Sequence, residues 1–152
     1  MIAVSPTQPS LKGRALSLLS AREHSRAELE RKLKPFEEEP GTLARALDEL
    51  QAKGFISEQR VIESVLHRRA SKLGSTRIRQ ELQGKGLDPD AISDALASLK
   101  TTELERAQAV WQKKFGAPPA NAMEAARQMR FLAARGFCAD TIRRAVKGPA
   151  SD

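Results

Sequence analysis

Residues 57–87 read SEQRVIESVLHRRASKLGSTRIRQELQGKGL, a pattern that predicts one helix, a short turn, a second helix and a glycine stop. The second helix offers Ile78 and Leu82 as its apolar face, and the first offers a longer stripe: Val61, Ile62, Val65 and Leu66. Residues 68–85 contain six cations and only one acid, Glu81, which gives this span a net charge of +5. The six cations are Arg68, Arg69, Lys72, Arg77, Arg79 and Lys85. We expect the apolar face to hold the unit in a bundle and the basic face to meet an anionic partner.

The composition favours a helical protein with aliphatic cores. The chain has 152 residues, which suits one compact domain or a row of small units. Hydrophobic residues make up 40% and aromatic residues only 4%, with no Tyr and one Trp, so the cores must consist mostly of Leu, Ala, Ile and Val. Because aromatic and β-branched residues are the ones enriched in strands, this composition favours helices over sheet sandwiches.

The charge and the single cysteine indicate the setting in which the chain works. The net charge is +7 and the pI about 10.0, which is typical of proteins that meet phosphate, acidic protein or membrane surfaces, although excess Lys and Arg can also simply solvate helices. One cysteine excludes an internal disulfide and suits a reducing cytosol, so we expect a cytoplasmic protein. No apolar run approaches the roughly 18 residues of a membrane helix. Residues 1–10 lack the charged start and apolar core of a signal peptide.

Helix boundaries follow from the capping residues. Ser10 is expected to cap the first helix, and Ser25-x-x-Glu28 forms a capping box at the start of the second. Pro35 is expected to end that second helix by excluding the α conformation at Lys34. Further starts are expected at Ser57, Ser75 and Asp88-Pro89, and further stops at Gly54, Gly74, Gly84 and Gly86. The last three helices are expected at about residues 102–115, 123–135 and 140–146.

The helical pattern repeats with a period of about 49 residues. A shift of 49 maps seven apolar positions onto seven others: Leu16, Leu29, Leu33, Leu43, Ala46, Leu47 and Leu50 onto Val65, Ile78, Leu82, Ile92, Ala95, Leu96 and Leu99. A shift of 50 continues the match into a third unit, for example Val61 to Trp111, Leu82 to Leu132, Gly86 to Gly136 and Ile92 to Ile142. Because glycine and acidic cap positions match as well, coincidence is a poor explanation. We predict an all-α fold of three tandem three-helix repeats stacked into an elongated, curved array.

The repeat also sets the expected domain boundaries. The three repeats are placed at residues 11–56, 57–100 and 101–148, with a flexible N-terminal tail at 1–10 and a C-terminal tail at 149–152. The two proline positions in the first ten residues are typical of a loose tail.

Motifs for catalysis or metal binding are not found in the sequence. His24 and His67 have no acid or cysteine at ligand spacing, so they are interpreted as a helix-boundary and a surface residue. The acidic run at residues 37–39 is interpreted as a solvated loop, and Cys138 as a buried or half-buried structural thiol. No nucleophile elbow, P-loop or dinucleotide fingerprint is present. We therefore expect no enzymatic activity, no metal and no cofactor.

Each predicted unit carries its own basic ridge. Residues 11–34 have seven cations and three acids, a net charge of +4, and residues 127–147 have six cations and one acid, a net charge of +5. A row of such ridges suits a long, periodic polyanion such as a nucleic acid or a nucleoprotein filament. Few aromatic residues lie among the cations, so stacking on exposed bases is poorly supported.

Two other kinds of surface were considered. A three-helix unit with a short second turn also fits a helix-turn-helix, with the fifth or eighth helix as the recognition helix. The sequence lacks the Asn, Gln and Arg cluster at a helix start that direct base readout requires, so sequence-specific binding is not favoured. A membrane-surface role is disfavoured because no helix joins a large apolar face to an aromatic belt.

Residues 54–92, GFISEQRVIESVLHRRASKLGSTRIRQELQGKGLDPDAI, resemble the central signature of the RecX family of recombination regulators. LLSAREHSRAELERKL at 18–33 upstream, and AVWQKKFGAP and MRFLAARGFCADTI downstream, are similar to further motifs of that family in the same order. The resemblance covers roughly residues 11–148. It implies three stacked three-helix repeats forming a curved, elongated molecule, and a non-enzymatic function: modulation of the RecA recombinase in recombination, DNA repair and the SOS response.

The resemblance also implies a partner and a mode of action. Members of the family lie in the helical groove of the RecA–DNA filament, where they hinder ATP hydrolysis, strand exchange and filament growth. We therefore expect a monomer that binds the RecA filament, with single- or double-stranded DNA as a secondary partner and no membrane partner. The densest predicted contact patch is Arg68, Arg69, Lys72, Arg77 and Arg79, and the second is Arg127, Arg130, Arg143 and Arg144. Direct, largely sequence-independent DNA binding, which would act on RecA by competition, stays open as an alternative.

Overall fold

A computed structural model of the chain describes residues 8–147. Over this range the chain is all-helical, with nine α-helices, one 3₁₀ turn and no strand. The helices are α1 (Leu11–Ala21), α2 (Arg26–Leu33), α3 (Thr42–Ala52), α4 (Glu58–Arg69), α5 (Ser75–Gly84), α6 (Pro89–Lys100), α7 (Glu103–Lys114), α8 (Ala122–Ala134) and α9 (Ala139–Val146), and the 3₁₀ turn is Lys34–Phe36. Within the described range no helix has both the length and the apolar character to cross a membrane. Most of the predicted N-terminal tail and all of the predicted C-terminal tail lie outside the described residues.

The predicted helix starts in the first third of the chain are confirmed by their hydrogen bonds. Ser10 Oγ accepts a hydrogen bond from the Gly13 N–H at 3.0 Å. Ser25 and Glu28 form the predicted capping box, with the Glu28 N–H donating to Ser25 Oγ at 3.1 Å and the Ser25 N–H donating to Glu28 Oε1 at 2.9 Å. These bonds satisfy backbone donors that a helix start leaves without an internal partner, which explains why α1 and α2 begin where the sequence predicts.

The chain forms two compact units, and the first comprises residues up to 61 together with 85–87. Within it α1 and α2 pack against α3. The fully or almost fully buried core residues are Ala15, Leu29, Leu33, Leu43, Leu47, Leu50 and Ile56, with four leucines of α1 packed at its edge. Five of these seven residues are leucines, as the low aromatic content predicts, and leucine suits helix-on-helix packing because it loses little rotamer freedom in a helix.

The second unit comprises residues 62–84 and everything from residue 88 onward that the structure describes. Within it α5 packs against α6, while α7 and α8 both pack against α9. Trp111 is the largest buried side chain, and its indole N–H donates to Gln128 Oε1 at 2.8 Å, which satisfies a donor that burial would otherwise leave unpaired. Trp111 packs in one core cluster of this unit with Ala107, Leu132, Phe137, Ile142, Ala145 and Val146.

Burial of matching positions confirms the three-helix repeat. Among the seven paired apolar positions, Leu29, Leu33, Leu43, Leu47 and Leu50 are buried, and so are all five of their partners 49 residues later: Ile78, Leu82, Ile92, Leu96 and Leu99. Ala46 and Ala95 are both half-buried, whereas Leu16 is half-buried and its partner Val65 is buried, so six of the seven pairs match in burial. In the third repeat the predicted partners Trp111, Leu132 and Ile142 are buried as well.

The predicted end of α2 before Pro35 is confirmed, because α2 ends at Leu33. Two details of the predicted helix ends are wrong. Lys34 has φ −50° and ψ −42°, an α conformation, although a proline follows it. A proline disfavours this conformation in the preceding residue without forbidding it, and here Pro35 lies in the first turn of the 3₁₀ segment, where its missing N–H is not needed. Ser75 is the first residue of α5 rather than its cap, because the Ile78 N–H donates to the Gly74 carbonyl at 3.2 Å. Glycine has no side chain for capping, so an acceptor must come from elsewhere.

Candidate functional site

Two glycine turns hold the starts of the basic helices α2 and α5, and the two turns are equivalent. Gly86 has φ +71°, and a Cβ atom at this position would lie 2.6 Å from the Ala27 Cβ. Gly136 has φ +91°, and a Cβ atom there would lie 2.6 Å from the Arg77 backbone nitrogen. Both the turn positions and the helix positions are 50 residues apart, so the chain uses one docking arrangement twice. Only glycine permits both the positive φ and so close an approach.

Hydrogen bonds fix these two turns to the helix starts. Ser25 Oγ donates to the Lys85 carbonyl at 2.5 Å in the first unit. The Thr76 N–H donates to the Gly136 carbonyl at 3.1 Å in the second. In both places a turn carbonyl accepts a donor from the beginning of a basic helix, which satisfies groups on both sides. The two basic helices are therefore held by their first turns.

A buried carboxylate stabilises the first of these arrangements. Glu28 Oε2 accepts from Arg22 at 2.8 Å and from Lys85 at 3.3 Å, while Oε1 caps α2. Burial by itself would raise the pKa of Glu28, but the hydrogen bonds from Arg22 and from the Ser25 N–H, with the charge of Lys85, lower this pKa to about 2. Lys85 is only 13% exposed in this pair, so it does not belong to the basic face in which the sequence places it.

A second buried carboxylate, Glu103, also bonds a helix start in the second unit, although it comes from α7 and is not the repeat equivalent of Glu28. Glu103 Oε1 accepts from the Ser75 N–H at 2.9 Å, and Oε2 accepts from Thr141 Oγ1 at 3.1 Å. Burial acts to raise the pKa of Glu103, but these hydrogen bonds outweigh it and lower that pKa below its ordinary value. Glu103 thus supplies from α7 the acceptor that Gly74 lacks at the start of α5.

Cys138 lies beside this carboxylate and differs from its sequence interpretation. The thiol sulfur is 3.1 Å from Thr141 Oγ1 and 3.5 Å from Glu103 Oε2, yet the residue as a whole is exposed. The prediction of a buried or half-buried thiol is wrong because Cys138 occupies the N-cap position of α9, while Phe137 fills the core beside it.

Arg106 sets the conformation of the turn between α4 and α5. Its guanidinium donates to the carbonyls of Ala70 at 2.8 Å, Leu73 at 2.9 Å and Leu99 at 3.2 Å. Burial lowers the pKa of Arg106, and the charge of Glu103 partly offsets this effect. A single planar guanidinium therefore orders three backbone carbonyls and fixes the turn that carries Lys72.

The first predicted patch contains both paired and unpaired cations, and all five are exposed. Arg69 Nε lies 3.1 Å from Glu81 Oε1 and Arg68 lies 3.9 Å from Oε2, so these two arginines share one acid. Arg77 donates to the Ala134 carbonyl at 2.7 Å, which makes it a support for the end of α8. Over the described residues, no hydrogen bond or ion pair engages the side chains of the other two, Lys72 and Arg79.

The second predicted patch lies on α8 and α9 and is also exposed. Arg127 and Arg130 are one helical turn apart on α8. Arg143 is 3.4 Å from Asp140, a pair that is exposed on both sides and therefore weak. Arg127, Arg130 and Arg144 have no intramolecular hydrogen bond or ion pair in the part of the chain that the structure describes. These side chains remain available to an external anion.

The sequence interpretation missed a basic groove of about 600 Å³ in the second unit. Phe131 forms part of its lining, with the Arg135 guanidinium 4.6 Å and the Lys114 Nζ 5.4 Å from the ring centroid. Lys113 and Lys72 also line the groove, which brings four cations together. The adjacent lysines at 113–114 are the one sequence feature that indicates the groove. The groove could not be assembled from them because its lining comes from three segments that are far apart along the chain.

The fold and this surface define a class of protein: an all-α chain of three three-helix domains with exposed, unpaired cations. Three family models match it in order, described as the first, second and third three-helix domains of RecX, at residues 12–50, 57–96 and 101–146. The chain is 57% identical over 140 residues to the regulatory protein RecX of Leptothrix cholodnii, covering 92% of this chain and 89% of that protein. It is 48% identical over 144 residues to that of Ralstonia nicotianae, covering 94% and 91%. The chain belongs to the RecX family.

Solved structures agree with this fold. The crystal structure of RecX from Lactobacillus salivarius matches with a TM-score of 0.76 at 20% identity, covering 90% of this chain and 92% of that one. A second crystal structure of a regulatory protein RecX matches with a TM-score of 0.74 at 19% identity, covering 90% and 71%. The relatives are named as regulatory proteins and not as enzymes.

Proposed function

We propose that this protein regulates the RecA recombinase by binding the RecA–DNA filament in its helical groove, where it hinders ATP hydrolysis, strand exchange and filament growth. The observation that carries the proposal is a set of exposed cations whose side chains have no hydrogen bond or ion pair with any residue between 8 and 147: Lys72, Arg79, Arg127, Arg130 and Arg144. Membership in the RecX family supports the choice of RecA as the partner.

The distribution of acids supports an interface made by these cations. Glu28 and Glu103 are buried and accept hydrogen bonds from backbone N–H groups at helix starts, so they do not neutralise the cations on the outer surface. Three of the unpaired cations stand on helices whose first turns are held in place: Arg79 on α5, which is held at the Gly136 turn, and Arg127 and Arg130 on α8, which Asn121 caps by accepting from the Glu124 N–H at 2.9 Å. Cations on ordered helices lose less conformational freedom on binding a polyanion than cations on loops.

A RecA ATPase assay on single-stranded DNA tests the proposal. We expect the intact protein to inhibit hydrolysis and the double variant Arg127→Glu, Arg130→Glu to need about tenfold or more protein for the same inhibition. The matched control is Arg45→Glu, Lys53→Glu, which makes the same change in net charge at two exposed positions outside both patches. Equal loss of inhibition in both double variants would show that inhibition depends on net charge alone and not on the position of Arg127 and Arg130. Absence of inhibition by the intact protein would reject the proposal.

For the first patch, Lys72→Glu with Arg79→Glu is a cleaner test than reversal at Arg68 and Arg69. Arg68 and Arg69 both contact Glu81, so glutamates at these two positions would repel the Glu81 carboxylate and disturb the contact between α4 and α5. Lys72 and Arg79 have no such partner among the described residues. Unchanged inhibition by the Lys72, Arg79 variant would remove this patch from the interface.

Direct DNA binding is the second candidate, because the same unpaired cations suit bare phosphates. It predicts an affinity for naked DNA that falls steeply with salt, with a logarithmic slope of about −0.7 per phosphate neutralised on a single strand. Five neutralised phosphates would give a slope of about −3.5 by that relation. Anisotropy titrations of a labelled oligonucleotide at several salt concentrations measure the slope, and a value near zero would exclude this candidate.

A further inference from the structure

The basic groove of the second unit has features that a phosphate-binding ridge does not need. Its lining combines the cations Lys72, Lys113, Lys114 and Arg135 with an apolar surface from Ala109, Val110 and Phe131. No carboxylate is among its lining residues. We propose that this groove binds an acidic peptide segment that carries one apolar side chain among its carboxylates.

Two of the four groove cations are held in place by an aromatic ring, and none of the four is neutralised by an acid among the described residues. Arg135 and Lys114 stand over the Phe131 ring at 4.6 Å and 5.4 Å from its centroid, which holds two positive charges in place by cation–π attraction. None of the four cations has an ion pair in the described part of the chain. Cations held in this way lose less side-chain entropy when they contact an anion such as a carboxylate.

The apolar surface favours a peptide over a nucleic-acid strand. A phosphodiester backbone gains nothing from Ala109 and Val110, whereas an apolar side chain buried there gains about 25 cal/mol for each Å² removed from water. Base stacking is disfavoured because the Phe131 ring is already occupied by Lys114 and Arg135 and by the edge of Phe115, with a ring-centroid distance of 5.4 Å and an interplanar angle of 85°. The groove therefore recognises carboxylates and one apolar residue together.

This inference goes beyond the proposed function, because it concerns a contact with protein and does not require the filament. The probe is the fluorescein-labelled peptide GDEDLEDEG, with GDEDSEDEG as the matched peptide without an apolar residue and a labelled oligothymidylate as the nucleic-acid probe. All three are titrated by anisotropy against the intact protein and its variants. We expect the leucine peptide to bind several-fold more tightly than the serine peptide, since one buried leucine adds apolar area.

The groove variant is Lys113→Glu, Lys114→Glu, which leaves both patches of the proposed filament interface unchanged. The control variant, Lys100→Glu, Lys147→Glu, makes the same charge change at exposed positions outside the groove. We expect the groove variant to weaken peptide binding by about tenfold and the control by less than about twofold, with unchanged circular dichroism for both.

Three results would overturn the inference. The first is equal binding of the leucine and serine peptides, and the second is equal weakening of peptide binding by the groove and control variants. The third is a groove variant that loses oligothymidylate binding as strongly as peptide binding, because the occupant would then be a nucleic acid. The RecA ATPase assay separates this inference from the proposed function. Inhibition that persists when the peptide fails to bind removes the groove proposal alone.

Discussion

Replacing glycines that flank helices with alanine separates backbone strain from steric clash, because the chain offers each effect in isolation. Gly54 has φ +84° and nothing within 4 Å of an added Cβ, so Gly54→Ala introduces strain alone. Gly74 has no positive φ, but an added Cβ would lie 2.5 Å from the Gly136 carbonyl, so Gly74→Ala introduces a clash alone. Gly136 combines φ +91° with a Cβ position 2.6 Å from the Arg77 nitrogen, so Gly136→Ala introduces both.

The expected losses follow from these geometries. A left-handed conformation costs an alanine about 1–2 kcal/mol, and overpacking against backbone costs about 1–3 kcal/mol. Gly54→Ala is therefore expected to lose about 1–2 kcal/mol, Gly74→Ala about 1–3, and Gly136→Ala about 2–5. The backbone atoms that Gly136→Ala would meet belong to the first turn of α5, so they cannot move aside as the end of a flexible side chain can.

Urea unfolding followed by circular dichroism at the helix band measures these differences. With a slope of about 2 kcal/mol per molar urea, the midpoint of Gly136→Ala is expected about 1–2.5 M below that of the parent and clearly below that of Gly54→Ala. Equal midpoints for Gly136→Ala and Gly54→Ala, with a parent-like midpoint for Gly74→Ala, would show that the turn at 136 does not dock on α5. The reasoning about how the basic helices are held would then be wrong.

Three further predictions concern buried charged and titratable groups. Glu28 has a pKa of about 2 against an ordinary value of 4.5, so its ionised form is expected to add up to about 3 kcal/mol to the free energy of unfolding above pH 4.5. This contribution is lost progressively as the pH falls toward 2, and Glu28→Gln should remove the resulting pH dependence of the urea midpoints. His24 is buried, and its Nε2 lies 3.0 Å from Lys32 Nζ. Burial, with the nearby charges of Arg22 and Lys32, lowers the pKa of His24 from the ordinary 6.5, so the fold favours the neutral imidazole. The free energy of unfolding should therefore fall as the pH drops below 6.5, and His24→Gln should make the urea midpoints nearly constant between pH 7 and 5. Arg106→Lys cannot reach three carbonyls in one plane and is expected to lower the free energy of unfolding by about 1–3 kcal/mol, measured by the same titration.

The repeat and the helix starts could be predicted from the sequence because they depend on local patterns. The apolar period places Leu29, Leu33 and Leu47 in the core, and the capping box at Ser25 requires only residues three apart. Features that depend on side chains from distant segments could not be predicted. Ser25, for example, also donates to the Lys85 carbonyl, 60 residues away, and nothing in the local pattern indicates this bond.

The candidate site shows the same division between local and distant information. Charge counting identified the exposed cations Arg127 and Arg130, but it could not distinguish them from Lys85, which is half-buried and paired with Glu28, or from Arg77, which donates to the Ala134 carbonyl. The groove over Phe131 was missed because its lining comes from the turn after α4, from α7 and from the end of α8. Pairing and grouping of charges depend on tertiary contacts, whereas their number does not.

Co-sedimentation of the intact protein with assembled RecA–DNA filament and with the same single-stranded DNA alone tests the central claim most directly. At physiological salt we expect the protein to sediment with the filament at concentrations at which binding to bare DNA is negligible, and the Arg127→Glu, Arg130→Glu variant to stay in the supernatant. Equal recovery with bare DNA and with filament would contradict filament recognition and leave direct DNA binding as the function. Recovery with neither would contradict the account as a whole.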